Sequence, residues 1–328
     1  HGIAMAPPPM PLLEISSPST VSKCAAFETL PSDIFICSYP KSGTTWLQHV
    51  VLSLLLADRR HSPDPPPPYS HVSDYAPFYE IDAHWDPGDA PVLLPAIRAA
   101  HRRLGRRVFN THLRGEMLPR GGACRRIYVV RAGPDVVVSF WHHLAHQNEG
   151  TYGGTLPRFV AELAEGALPY GKWTDHVLSY AVARGPPTLF LAYEEMARDL
   201  PAAVRRIVRF LDLRVSDREV EELLPAFSFE AMARELDKFQ PRSVTWKNNF
   251  RFLRRGVVGD GVRRMRETPG DGDGEPRGDP KATLLDVFEN WCRSERLAER
   301  LGEAVNAGDD GAPENMEEAL AAARLWRR

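Results

Sequence analysis

Tyr39-Pro40-Lys41-Ser42-Gly43-Thr44-Thr45-Trp46 gathers a lysine, a glycine and three aliphatic hydroxyls in one short stretch. A β-branched and aromatic run, Ile34-Phe35-Ile36-Cys37-Ser38, precedes it. Trp46, Leu47, Val50, Val51, Leu54 and Leu55 follow at helical spacing. The stretch therefore reads as a strand-to-helix turn. Such a turn aims backbone N–H groups and the positive end of a helix dipole at one point, which suits phosphate oxygens. Lys41 adds a full charge, and Ser42, Thr44 and Thr45 add donors. An ordinary capped helix would use the same residue types. The order is not that of the nucleotide P-loop, whose lysine follows the second glycine. Here Lys41 precedes Gly43.

Other chemistry stands at the ends of strand-like runs. His112 closes Arg107-Val108-Phe109-Asn110-Thr111-His112. An imidazole with an ordinary pKa of about 6.5 suits a general base near neutral pH. Arg131 closes a run from Arg126, and Ser139 lies in the helical pattern Asp135 to Gln147. An arginine fork and a serine hydroxyl are good partners for a phosphate dianion. A fourth strand is expected at Thr188 to Tyr193. Helices fit 98–103, 156–166, 173–184, 201–211, 217–224, 281–303 and 313–327. Alternation of this kind predicts an α/β fold, a central parallel β-sheet flanked by helices. Pro63 to Pro68 must be an exposed loop, and 69–95 reads as an aromatic loop.

Lys41-Ser42-Gly43-Thr44-Thr45-Trp46 in this position resembles the 5′-phosphosulfate loop of the cytosolic sulfotransferases, and with Leu47 it resembles the plant-type members, so a plant-type enzyme is expected. Those enzymes transfer a sulfuryl group from 3′-phosphoadenosine 5′-phosphosulfate (PAPS) and leave adenosine 3′,5′-bisphosphate (PAP). The resemblance recurs downstream, in family order. Arg131 and Ser139 match the 3′-phosphate segment. Tyr193 and the Phe227-Ser228-Phe229-Glu230-Ala231-Met232 segment match the adenine side. Phe252-Leu253-Arg254-Arg255-Gly256 resembles the C-terminal Arg-Lys-Gly signature, with Arg255 in place of the lysine. The matches run from about 34 to 260.

The resemblance implies a P-loop-like sulfotransferase fold. It implies His112 as catalytic base and Lys41 stabilising the bridging oxygen. It also implies that Ser139 holds Lys41 while no acceptor is bound, and that Trp46 stacks on the adenine. No metal is expected. Asn110 stands where animal relatives carry a lysine that helps hold the sulfuryl group. The family's dimerisation motif is not recognisable, so a monomer or weak homodimer is expected. Tyr75, Phe78, Trp85, Phe140, Trp141, Tyr152 and Trp246 could line a pocket for a small apolar hydroxyl acceptor. Flavonoids, steroids and terpenoid hormones or their precursors, a strigolactone precursor among them, all suit such a pocket. A P-loop kinase or NTPase, and a non-catalytic nucleotide- or metabolite-binding relative, are the alternatives.

The chain has 328 residues, 43% of them apolar, and a formal net charge of −2. There is no basic field for bulk nucleic-acid binding. Cys24, Cys37, Cys124 and Cys292 are far apart and form no disulfide framework or zinc ribbon. With no run of about 18 apolar residues and no signal-like N-terminus, a cytoplasmic protein is expected. The segment before Met5 reads as a tag remnant. Residues 1–30 are expected to form a flexible leader and 31–328 a single domain. The Gly/Pro-rich stretch 266–280 is expected to be mobile.

Overall fold

The structure is a computed structural model and describes residues 10–119, 124–183, 185–247, 250–270, 282–306 and 315–323. The four apolar runs become four short strands: β1 (Ile34–Cys37), β2 (Val108–Thr111), β3 (Arg125–Val130) and β4 (Thr188–Ala192). They form one sheet in the order β2-β1-β3-β4, and every neighbouring pair is parallel. Parallel neighbours need crossover connections, which helices supply. α1 (Pro18–Ala26) precedes β1, and α2 (Thr44–Asp58) and α3 (Pro95–Leu104) join β1 to β2. α4 (Gly133–His146), α5 (Leu156–Glu165) and α6 (Trp173–Ala181) join β3 to β4. Then come α7 (Tyr193–Arg198), α8 (Leu200–Phe210), α9 (Asp217–Leu223), α10 (Phe229–Arg234) and α11 (Asp260–Arg266). Last are α12 (Leu284–Ser294), α13 (Leu297–Asn306) and α14 (Met316–Ala322).

Side chains alternate across a strand, so each strand feeds two cores. Ile34, Ile36, Val108, Ile127, Val129, Leu189 and Leu191 pack with Leu47, Val51 and Leu54 of α2 and Val204 and Ile207 of α8. Phe35, Phe109, Tyr128, Val130 and Phe190 pack on the other face with Val137 and Phe140 of α4 and Val177 and Tyr180 of α6. Covered on both faces, the sheet presents only its edges and strand ends.

Residues 10–30 are not a loose leader. Ser17 caps α1 by accepting from the Thr20 N–H, and Pro18 opens the helix. Cys24 and Phe27 are buried, with Phe27 edge-on to Tyr79, Trp85 and Phe109. Burial of these side chains outweighs the Pro/Ser-rich composition. The helix expected over 281–303 is two helices. Arg296 takes a left-handed φ of 52° between them. Of the stretch expected to be mobile, 266–270 ends α11 and pairs through Pro269 with Thr283, and 271–280 lies outside the described residues.

Candidate active site

Parallel strands send all their C-terminal ends to one edge of the sheet. Ser38, His112, Arg131 and Tyr193 each directly follow a strand there. The chain pairs β1 with β2 on one side and β3 on the other, so its order reverses at β1, where open α/β sheets hold their ligands.

The lysine loop turns sharply, with φ of 68° at Lys41 and 108° at Gly43. Glycine is needed at Gly43 twice over, because a Cβ there would also lie 2.8 Å from the Tyr193 ring. Gly43 gives α2 no side-chain cap, so its first N–H groups stay available at the loop. Lys41 Nζ lies 3.7 Å from the centre of the Phe252 ring and 3.4 Å from His143 Nδ1. Burial first, then Arg131 and Arg254, hold the lysine pKa well below its ordinary value. No carboxylate pairs with Lys41 among the described residues. An anion at this point would relieve the repulsion.

His112 is held at its ring and at both neighbouring peptide groups. Nδ1–H donates to the Ser38 carbonyl at 2.8 Å, which leaves the lone pair on Nε2. The backbone N–H donates to Glu80 Oε1 at 2.7 Å, and the His112 carbonyl accepts from His176 Nε2 at 3.0 Å. Phe78 and Tyr170 press edge-on against the ring. Burial, helped by Lys41 and opposed by the Ser38 carbonyl, pushes the His112 pKa down to about 4. The imidazole is therefore neutral at pH 7. Glu80 is fully buried, and desolvation lifts its pKa to about 7 against the hydrogen bonds it accepts.

Arg131 forms the opposite wall. It donates to the carbonyls of Lys41 (3.1 Å) and Val257 (3.3 Å) and lies over the Tyr193 ring. Its Nε is buried without a partner. Asp135 accepts from the N–H groups of Gly259 (2.8 Å) and Gly261 (2.6 Å), which ties the 252–261 segment across α4. Gly261 has no room for a side chain, since a Cβ would meet the Pro134 carbonyl oxygen at 2.1 Å. Arg254 and Arg255 share Asp260, at 2.6 and 2.7 Å. Trp46 donates through Nε1 to the Phe227 carbonyl at 2.8 Å and stands edge-on to Tyr193. Ser228 caps α10.

These walls enclose a cavity of about 890 Å³. Lys41, Gly43, Thr44, Thr45, Trp46, His112, Arg131, Ser139, Tyr193, Ser228, Phe229, Met232, Phe252, Leu253, Arg254, Arg255 and Gly256 all line it. Ser42 does not. The left-handed residues on either side carry its side chain into the protein, where its hydroxyl is buried and unpartnered. Ser139 lines the cavity but makes no hydrogen bond to Lys41. The amine sits one turn farther along α4, between His143 and the Phe252 ring. Arg263 pairs with Asp260 and Glu267.

Of the seven aromatic residues expected at the acceptor side, only Phe78 and Phe140 line the cavity. Tyr75, Trp85, Trp141 and Trp246 spend their polar ends on the carbonyls of Pro67, Tyr79, Gly154 and Pro241. Tyr152 packs against Phe159. The sequence reading missed Glu80, His143, Asp135 in its loop-tying role, and the wall residues Leu13 and Ile15. His143 had a usable signal, standing four residues after Ser139 and so on the same helical face. Glu80 had none. Among the described residues, no three His, Cys, Asp or Glu side chains gather as a metal site. No described helix is long and apolar enough to cross a membrane.

An α/β sheet edge that carries an uncapped helix N-terminus, a lysine with no carboxylate partner among the described residues and four arginines around one cavity is built to hold a polyanion. Residues 31–268 match the sulfotransferase domain family, and the chain belongs to that family. It is 29% identical to mouse sulfotransferase 1B1 over 241 residues, 71% of this chain and 77% of the relative. It is 28% identical to human sulfotransferase 1E1 over 246 residues, 72% of this chain and 79% of the relative. The structure of mouse sulfotransferase SULT7A1 complexed with PAP aligns with a TM-score of 0.59 at 26% identity, covering 90% of this chain and 95% of that one. A retinol dehydratase in a complex with retinol and PAP shares the fold, with a TM-score of 0.62 at 19% identity over 84% of each chain. The protein is thus a member of the sulfotransferase family, and its structural neighbours in that family hold PAP. These curated relatives are mammalian, so the expected plant-type membership finds no support in them.

Proposed function

We propose that the enzyme sulfates a hydroxyl of a small apolar molecule, with His112 as general base. The observation that carries this reading is the state of His112. It is neutral, its Nδ1–H is committed to Ser38, and its Nε2 lone pair is free in a cavity that Lys41 and Phe78 also line. Such a base can take the acceptor's proton without first losing one of its own.

The remaining roles follow from charge and placement. PAPS supplies the activated sulfuryl group. Lys41 meets the negative charge that grows on the leaving oxygen. Thr44, Thr45 and the N–H groups at the start of α2 hold the 5′-phosphate. Arg131, Ser139, Arg254 and Arg255 hold the 3′-phosphate. Trp46, Tyr193, Phe229 and Met232 flank the adenine. Leu13, Ile15, Phe78, Ile81 and Phe140 form an apolar wall for the acceptor. Four free cysteines, three of them buried, fit work in a reducing compartment such as the cytoplasm.

The test is transfer from PAPS to a panel of apolar alcohols, read as sulfated product, with PAP affinity measured in parallel. PAP binding and product with apolar alcohols are expected. Tight PAP binding with product only on charged or sugar acceptors would sink the acceptor reading.

A further inference from the structure

Behind the cofactor wall lies a second, smaller cavity of about 470 Å³. Val138 and His142 of α4 form one side of it. Arg254, Arg255, Asp260, Arg263 and Arg264 form the other. α4 is the partition between the two cavities. Ser139 and His143 line the large one, and Val138 and His142, each one residue earlier, line the small one. Arg254 and Arg255 belong to both walls.

Positive charge is in excess there. Asp260 is buried and takes three guanidiniums, Arg254 at 2.6 Å, Arg255 at 2.7 Å and Arg263 at 3.0 Å. Glu267 takes a second nitrogen of Arg263 at 3.3 Å. Arg264 lines the cavity with no ion-pair partner among the described residues. Each guanidinium carries five N–H donors, so two carboxylates leave most of them unspent. His142 records the imbalance. Burial first, then Arg254, His146 and Arg264, push its pKa down to about 4, and Asp260 opposes them only weakly. Arg255 and Arg263 are 52% and 54% exposed, so the cavity opens to solvent and a ligand can enter.

Guanidinium forks with unspent donors are the chemistry that recognises phosphate and sulfate. We propose that the small cavity is a second oxyanion site. It takes a tetrahedral dianion, free as inorganic phosphate or sulfate, or carried as a phosphate ester of a small molecule. Arg263 and Arg264 are its own donors, and Arg254 and Arg255 are shared with the cofactor cavity. Sharing makes the site antagonistic. An oxyanion there holds Arg254 and Arg255 on the Asp260 side of the wall, away from the 3′-phosphate of PAPS, which they are proposed to hold. By linkage, the cofactor weakens the oxyanion by the same factor. The site stands on the second cavity alone, and its coupling rests on that 3′-phosphate assignment.

The test is calorimetric PAP affinity in rising sodium phosphate, with sodium chloride holding ionic strength constant. The apparent PAP Kd is expected to rise about 5- to 10-fold and then level off, because coupling between two sites saturates. Arg263→Gln combined with Arg264→Gln should remove that rise, yet leave PAP affinity without phosphate within about 2-fold, since exposed ion pairs are worth little. Arg264→Gln alone, which breaks no ion pair, repeats the test where the double variant fails to fold, and should at least halve the rise. Sodium sulfate and glucose 6-phosphate are the parallel arms. A stronger effect of the ester assigns the site to an organic phosphate, and an equal or weaker one assigns it to the free ion. A rise that never levels, or that survives both variants, places phosphate in the cofactor cavity only and overturns the second site. Insensitivity to all three anions overturns it too, and leaves the cofactor assignment standing. Failure of PAP to bind without any of them overturns that assignment and the coupling with it.

Discussion

At the cofactor end of the cavity, the polar groups come from the four strand ends, from Ser139 of α4 and Ser228 at α10, and from one crossing segment, and key ones are tied to backbone. Arg131 grips the Lys41 and Val257 carbonyls, and Asp135 grips Gly259 and Gly261. The acceptor end is assembled from residues 13–15, 71–84, 140–147 and 241–244, chiefly loops. Polyanion binding needs charges and N–H donors at set positions, which only rigid elements provide. An apolar wall needs only volume and excluded water, and loops can supply that.

Substitutions at the two ends should therefore fail differently. The largest effect is expected at the junction. His112→Ala should cut turnover by on the order of 10²-fold or more while PAP affinity stays within about 2-fold, since general-base removal touches chemistry alone. In the native enzyme the acid limb of kcat/KM should fall near pH 4 and not near 6.5, because burial lowers the His112 pKa. Unreduced turnover in the variant would show that another group is the base.

Glu80 sharpens the comparison from behind His112. Its pKa rises on folding from about 4.5 to about 7. The stability tied to the protonated carboxyl is thus fully present below pH 4.5 and lost as pH rises through 7. The loss is about 3 kcal/mol at most. Glu80→Gln should flatten thermal stability against pH across that window. An unchanged slope would place the titration elsewhere.

At the cofactor end, Arg131→Met should weaken PAP binding by about 10-fold, the scale of one charge-assisted hydrogen bond, with acceptor KM little changed. The smallest effect belongs to the acceptor wall. Phe78→Ala should raise acceptor KM by a few-fold and leave PAP affinity alone. An equal loss of PAP affinity there would erase the distinction between the two ends.

Legibility followed the same division. Every cofactor-side candidate but Ser42 lines the cavity: those beside strand ends travel with their strands, whereas Ser139, residues 228–232 and residues 252–256 are brought there by α4, α10 and the segment tied to Asp135. Ser42 failed because two left-handed neighbours turn it inward, a matter of backbone angles that composition does not reveal. The acceptor side was read from aromatic content, and five of its seven candidates fill the core or its margins instead. A large ring is worth burying wherever it packs.

By itself, the sequence determined what is local. The apolar runs that become strands, and the lysine, histidine and arginine that follow strand ends, could be read along the chain. Tertiary structure alone decided which distant groups meet. It set Glu80 against the His112 amide, His143 against Lys41, Leu13 and Ile15 in the acceptor wall, and Gln147 in the cavity lining without a hydrogen-bond partner. The reason is physical. Backbone geometry is set by neighbours in the chain, whereas the environment and charge state of a side chain are set by whatever packing brings beside it.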